Sequence, residues 1–192
     1  DGGGGITGTF IWADCQFFLM DNRYHRSPPE LDDRHILGED QKQWLLDALL
    51  YSNSKYKFVC IGGQFLSDVA KYENHAVYAE ERQEIIDFID RHKIEGVVFL
   101  TGDRHYSEIS RVKTKDGVVI YDVTCSPLTS GTVDGSKDNN RNRVEGTLIN
   151  GRCYAILDIT GPYKERAVRV SYRDVDGTEI LPPILLDFGS ED

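Results

Sequence analysis

Apolar residues in this chain come in short blocks whose spacing switches character about halfway along. Residues 9–21 (TFIWADCQFFLMD) form the first block, rich in aromatic and branched side chains, and the unbroken Phe17, Phe18, Leu19, Met20 predicts a strand covered on both faces. Residues 22–38 hold Pro28-Pro29 and mixed charges without a period, which predicts a long surface loop. Between residues 39 and 50, Trp44, Leu45, Ala48 and Leu49 recur at helical spacing behind Glu39 and Asp40, an acidic first turn that suits the helix dipole. Residues 57–61 (KFVCI) read as a buried strand stopped by Gly62-Gly63, and residues 64–79 as an irregular connection. A second helix is predicted over residues 80–92, with Ile85, Ile86 and Ile89 on one face and Arg91, His92 and Lys93 closing it.

Residues 96–100 (GVVFL) are an all-apolar strand, followed by Thr101-Gly-Asp-Arg-His-Tyr106 at its carboxyl end, the edge where α/β sheets place their sites. Beyond that point the alternation of strand and helix stops. Residues 109–112, 118–124, 153–159, 167–172 and 180–186 are strand-like and separated by turn pairs such as Asp116-Gly117 and Asp176-Gly177, the pattern of antiparallel β structure. Residues 131–146 are polar with almost no core residue, and the reading is a mobile loop. The expected organisation is one domain over residues 1–192, with an α/β part over 1–105 and a mainly antiparallel β part over 106–192.

Composition narrows the function. With 40% hydrophobic and 28% charged residues in 192, the chain can bury an ordinary core. Its 22 Lys and Arg against 32 Asp and Glu give a formal charge of -10, which argues against nucleic-acid binding, whereas a small phosphate ester remains open because a bound cation can dominate a pocket. No run of eighteen apolar residues predicts a membrane span. The start, Asp1-Gly-Gly-Gly-Gly5, is not a signal peptide and reads as a cut piece of a longer chain. Cys15, Cys60, Cys125 and Cys153 are widely spaced in apolar stretches, which reads as buried free thiols.

The chemistry-bearing candidate is Gly102-Asp103-Arg104-His105. A carboxylate and an imidazole two residues apart on a tight turn can face one point and offer a hard oxygen and a borderline nitrogen to a cation, although the spacing alone also fits a plain turn. Arg23 and Arg26, on the corner after the first strand, could grip a phosphate through their planar forks or else pair with Asp32 or Asp33 on a solvated loop, with Asp21 orienting Arg23. Gln64 lies past the end of another strand on the same edge as Asp103, and His75 precedes the second helix within reach of the same rim; a turn residue and a surface histidine are the alternatives. His25, His35 and His92 read as surface. Ser126 and Ser130 lack the Gly-x-Ser-x-Gly elbow of a serine hydrolase.

Several segments, in order, resemble the alkaline phosphatase D (PhoD-like) family of metallophosphatases. Phe17-Phe-Leu-Met-Asp-Asn-Arg-Tyr-His-Arg26 is similar to its "FF-LD-R-YR" corner and Leu37-Gly-Glu-Asp-Gln-Lys-Gln-Trp-Leu-Leu46 to its "LG-QK-WL" helix start. Tyr78-Ala-Glu-Glu-Arg82 is similar to "Y-EER", Val98-Phe-Leu-Thr-Gly-Asp-Arg-His105 to "VV-LTGD-H", and Cys125-Ser-Pro-Leu-Thr-Ser-Gly131 to "SPL-SG". The resemblance implies an α/β fold, the carboxyl-terminal half of a calcineurin-like four-layer α/β/β/α sandwich with mixed sheets and a β-rich tail. It implies Asp103 and His105 as ligands in a site of two divalent or trivalent metal ions (iron, calcium, zinc or manganese), and a metal-activated hydroxide attacking phosphate mono- or diesters. The Gly-Asp and Gly-Asn motifs that carry the other ligands in such enzymes do not precede residue 102, so a missing N-terminal segment or a partner chain is expected to supply them. Family habit points to a periplasmic or secreted protein. The competing reading is a non-catalytic β-rich binding module with an inert Asp-x-His turn; a serine esterase is a third.

Overall fold

The computed structural model describes residues 5–189. A six-stranded sheet runs in the order β1-β2-β3-β4-β6-β5, built from β1 (Gly8–Trp12), β2 (Cys15–Leu19), β3 (Tyr56–Cys60), β4 (Val97–Thr101), β5 (Glu108–Lys113) and β6 (Val119–Thr124). Helices α1 (Glu39–Tyr51) and α2 (Ala79–Arg91) are the crossovers that let β2, β3 and β4 run parallel. β6 is parallel to β4, and β1 and β5 close the two edges antiparallel. A three-stranded antiparallel sheet, β7 (Tyr154–Thr160), β8 (Ala167–Arg173) and β9 (Ile184–Leu185), completes the described chain.

Alternation of side chains along the strands creates two cores. One face of the large sheet sends Phe18, Val59, Val97, Phe99 and Ile120 against Leu45, Leu49, Ile85 and Ile89 of the helices. The other sends Phe58, Val98, Tyr121 and Val123 against Val168, Val170 and Tyr172 of β8. The result is three layers, helices on sheet on sheet. The small sheet does not reach all the way across: along the row Val98, Phe58, Phe17, Phe10, burial falls from complete at Phe58 to 47% exposure at Phe10 on the edge strand. Phe10 and Phe17 stack at 4.8 Å, and Ile11 and Trp12 are exposed beside them.

Four expectations change. Residues 9–21 are two strands, not one, because the chain reverses at Ala13-Asp14, where Ala13 takes a left-handed φ of 53°, and β1 is exposed rather than covered on both faces. The large sheet continues past residue 105 to include β5 and β6, so the α/β unit does not end there. The last strand shrinks to Ile184–Leu185, since Pro182 and Pro183 supply no N–H to a ladder. The loop over residues 131–146 is pinned rather than loose: Asp138 and Asn140 are buried and bonded into the body of the protein.

Candidate functional site

β4 delivers Thr101 to its carboxyl end, and the backbone then turns sharply. Gly102 N–H donates to the Gly62 carbonyl at 3.1 Å, tying the turn to the end of β3. Asp103 and His105 both adopt left-handed backbone, with φ of 69° and 61°. Such a conformation disfavours side chains other than glycine and is held here by its neighbours. His105 N–H donates to Ser126 Oγ at 3.0 Å, and the His105 carbonyl accepts from Val133 N–H at 2.9 Å.

The intervening Arg104 is buried in the wall of a cavity that it lines together with Tyr72 and Asp138. It pairs with Asp138, donates from Nε to the Tyr106 hydroxyl at 3.3 Å, and lies 5.2 Å and 5.4 Å from the centres of the Tyr72 and Tyr106 rings. Lys71 also pairs with Asp138, so two cations share one buried carboxylate. Burial opposes the charge on Asp138, but Lys71, Arg104 and the Tyr106 hydroxyl outweigh it and hold the carboxyl below its ordinary range. Exposed Asp103 and half-buried His105 both open onto that cavity, of about 560 Å³, whose walls include Lys71, Tyr72, Glu73, Lys137 and the Arg104–Asp138 pair.

Arg23 and Arg26 reach the wall of that cavity through one group. Both pair with Glu73, Arg26 Nη1 at 2.6 Å, and the two guanidinium groups hold the Glu73 carboxyl below its usual range. Their partner is therefore Glu73 and not Asp32 or Asp33. Asp21 does orient this corner, accepting from Arg23 N–H at 2.8 Å and Tyr24 N–H at 3.0 Å.

Gln64 and His75 are elsewhere. Gln64 is completely buried beneath the turn, where its amide donates to Glu108 Oε1 at 2.8 Å and Thr124 Oγ1 at 3.2 Å, so it does not line the pocket. His75 is likewise completely buried, against the Phe65 ring and 4.0 Å from Glu81 Oε1, and not on the rim. Burial, helped by the Arg82 charge, pushes its imidazole down to about 3, so it stays neutral. Both positions looked peripheral because segment 64–79 has no period; in the structure it folds inward, with His75 N–H bonded to the Gln64 carbonyl at 3.0 Å.

Sequence reading missed the polar network that supports the turn. Asp122, on β6 and fully buried, accepts from Phe65 N–H at 2.7 Å, Leu66 N–H at 2.8 Å and Thr101 Oγ1 at 2.6 Å. Fully buried Glu108 accepts from Gln64 and from Asn140 Nδ2 at 2.8 Å, and pairs with Arg143. The available signal was a lone acid inside each apolar strand run, in VIYDVT and SEIS. Among the described residues no group of three or more His, Cys, Asp or Glu could hold a metal ion.

A family model described as PhoD-like phosphatase matches residues 6–156. Alkaline phosphatase D of Bacillus subtilis (strain 168) is 25% identical over 143 residues, covering 61% of this chain and 24% of its own length. A solved structure described as "Structure of PhoD" superposes with a TM-score of 0.69 at 17% identity, over 97% of this chain and 44% of that one. At that identity the superposition speaks for the fold alone. This chain spans about a quarter of the length of the curated relative and under half of the solved one.

Proposed function

The chain belongs to the PhoD-like phosphatase family, and from that premise we propose that it carries part of a binuclear metal site for hydrolysing phosphate mono- or diesters, with Asp103 and His105 as two of the ligands. The observation that supports this most is the turn after β4. Two residues of different donor chemistry share strained backbone and open onto one cavity, while the residue between them is held by Asp138 in the wall of that cavity. The donors fit two divalent or trivalent cations in kind but not in number. The remaining ligands would come from the length of the relatives that this chain does not span. A further layer from the same source would cover the bare face of β1 and β2 and make the four-layer calcineurin-like sandwich.

When bound, the cations would polarise the phosphoryl oxygens and activate the attacking water. The chain's own groups bind and orient. Arg23 and Arg26 share Glu73 at the cavity wall, and a phosphate reaching them would exchange one carboxylate partner for a doubly charged one suited to the guanidinium fork. Arg104, with Tyr106 and Asp138, braces the turn from the cavity wall. Export to the periplasm or beyond belongs to the same proposal; no helix among the described residues is long and apolar enough to cross a membrane.

The test is metal content by plasma mass spectrometry on chelator-free protein, comparing this chain with Asp103→Ala and His105→Ala. Metal bound by the parent and lost in both variants supports the reading. A parent that takes up no iron, calcium, zinc or manganese, alone or with the remainder of a relative added in trans, favours a non-catalytic module with an inert turn.

A further inference from the structure

The two sheets meet at a pair of cysteines for which the proposed hydrolysis has no use. Cys125 immediately follows β6 of the large sheet, and Cys153 immediately precedes β7 of the small one. The segments run side by side: Cys153 N–H donates to the Pro127 carbonyl at 3.1 Å, and the Cys125 thiol lies 3.8 Å from the Cys153 carbonyl oxygen. The two side chains share one seam, the Cys125 thiol against the Cys153 backbone and the Cys153 thiol 3.1 Å from Ser107 Oγ. Cys153 is buried and Cys125 half-buried, so one of the pair can be approached from solvent. The other two cysteines are placed differently, Cys15 facing Asp14 and Cys60 ending β3, two strands from β6.

We propose that Cys125 and Cys153 form a reversible disulfide that staples the small sheet to the large one, with a small-molecule disulfide such as oxidised glutathione as the oxidant. Two exchange steps balance the reaction. The approachable Cys125, as thiolate, attacks one sulfur of the oxidant; a protein–glutathione S–S bond forms, the oxidant's S–S bond breaks, and the departing thiolate takes up a proton. Cys153, as thiolate, then attacks the Cys125 sulfur and expels the second glutathione thiolate, which is protonated in turn. The protein loses two electrons and two protons, and one disulfide outside it becomes two thiols. In the reduced pair, hydrogen bonding from the Cys125 thiol, opposed by burial and helped by Ser107, draws Cys153 down to about 7 while Cys125 is raised; once Cys125 sits in the mixed disulfide it has no proton to donate and only the Ser107 contribution persists, so the attack of Cys125 on the oxidant is the slow step.

The bond would act on the site through Ser107 and Ser126. Ser107 Oγ is 3.1 Å from Cys153 Sγ, donates to the Ser126 carbonyl at 3.0 Å and accepts from Ser126 N–H at 2.9 Å, while Ser126 Oγ holds His105 N–H. Oxidation would therefore fasten the loop that fixes the backbone of His105. The pairing itself does not depend on the phosphatase reading.

The experiment oxidises the full, reduced chain with oxidised glutathione and maps it by mass spectrometry of a non-reducing digest. The expected result is loss of two of the four free thiols, one cross-linked peptide pair containing Cys125 and Cys153, and a melting temperature raised by several degrees and restored by dithiothreitol. The double variant Cys15→Ser/Cys60→Ser is expected to keep the shift, and Cys125→Ser to lose it. Four persisting thiols, glutathione adducts without an internal bond, or cross-links through Cys15 or Cys60 would each overturn the proposal. Mapping the unmodified chain needs no variant, so a misfolded mutant cannot hide the answer.

Discussion

Replacing Asp122 with asparagine should change how stability responds to acid, and the structure sets both sign and size. The carboxyl is fully buried and accepts from two backbone N–H groups and the Thr101 hydroxyl. Burial raises it from 3.8 to about 6; those three donors pull the other way without winning, and Glu108 adds to the rise. A group raised on folding binds its proton more tightly in the folded state, so its contribution is fully present below 3.8 and is lost as pH climbs to about 6. At roughly 1.36 kcal/mol for each pH unit, the loss is about 3 kcal/mol. His75 works in the opposite sense. Its imidazole, held down to about 3 from an ordinary 6.5, contributes stability that is lost as pH falls through the same region, so the two partly cancel in the parent protein. The difference between Asp122→Asn and parent isolates one of them. Urea unfolding at low protein concentration, from pH 3.5 to 7, is expected to show the variant gaining about 3 kcal/mol on the parent between about pH 4 and 6, with the difference flat at one value below that window and at another above it. Below the window the variant is about 1 kcal/mol behind, because an amide cannot match every donor, and above it the variant is about 2 kcal/mol ahead. A difference that stays flat or falls across that window would refute the argument that burial governs this carboxyl.

Two further substitutions probe backbone features. Gly96 has a φ of 71°, and a Cβ there would sit 2.2 Å from the Lys55 carbonyl oxygen, so Gly96→Ala is expected to cost about 3 kcal/mol in urea unfolding. Buried Glu81 accepts from Ile36 N–H at 3.0 Å and Leu37 N–H at 3.1 Å; Glu81→Ala strands both and should cost about 3 kcal/mol, while Glu81→Gln recovers most of it in thermal melts.

The helices and parallel strands were legible because each carries one strong period and a stop signal, as in Gly62-Gly63 after β3 and the acidic first turns of α1 and α2. The Asp103-x-His105 turn was legible by position, at the end of an unmistakable buried strand. What could not be read was inwardness in aperiodic segments. Gln64 and His75 are buried because Asp122, far along the chain, captures the amides of Phe65 and Leu66. The loop over 131–146 looked loose because polar residues usually face water; Asn140 instead finds Glu108 and Ser110 in the interior. The partner of Arg23 and Arg26 lies about fifty positions away, at Glu73, and nothing local announces it.

The bare margin of the large sheet also sets the colloidal behaviour of the molecule. Among the described residues β1 pairs on one side only, so its outer amides, together with exposed Phe10, Ile11 and Trp12, offer a second molecule both a ladder to extend and an oily strip to cover. Against that stands mutual repulsion from a formal charge of -10. As the solution approaches the isoelectric point near 4.9, that repulsion vanishes while the sticky margin does not, so clouding on acidification is expected to begin at β1 before the fold itself gives way.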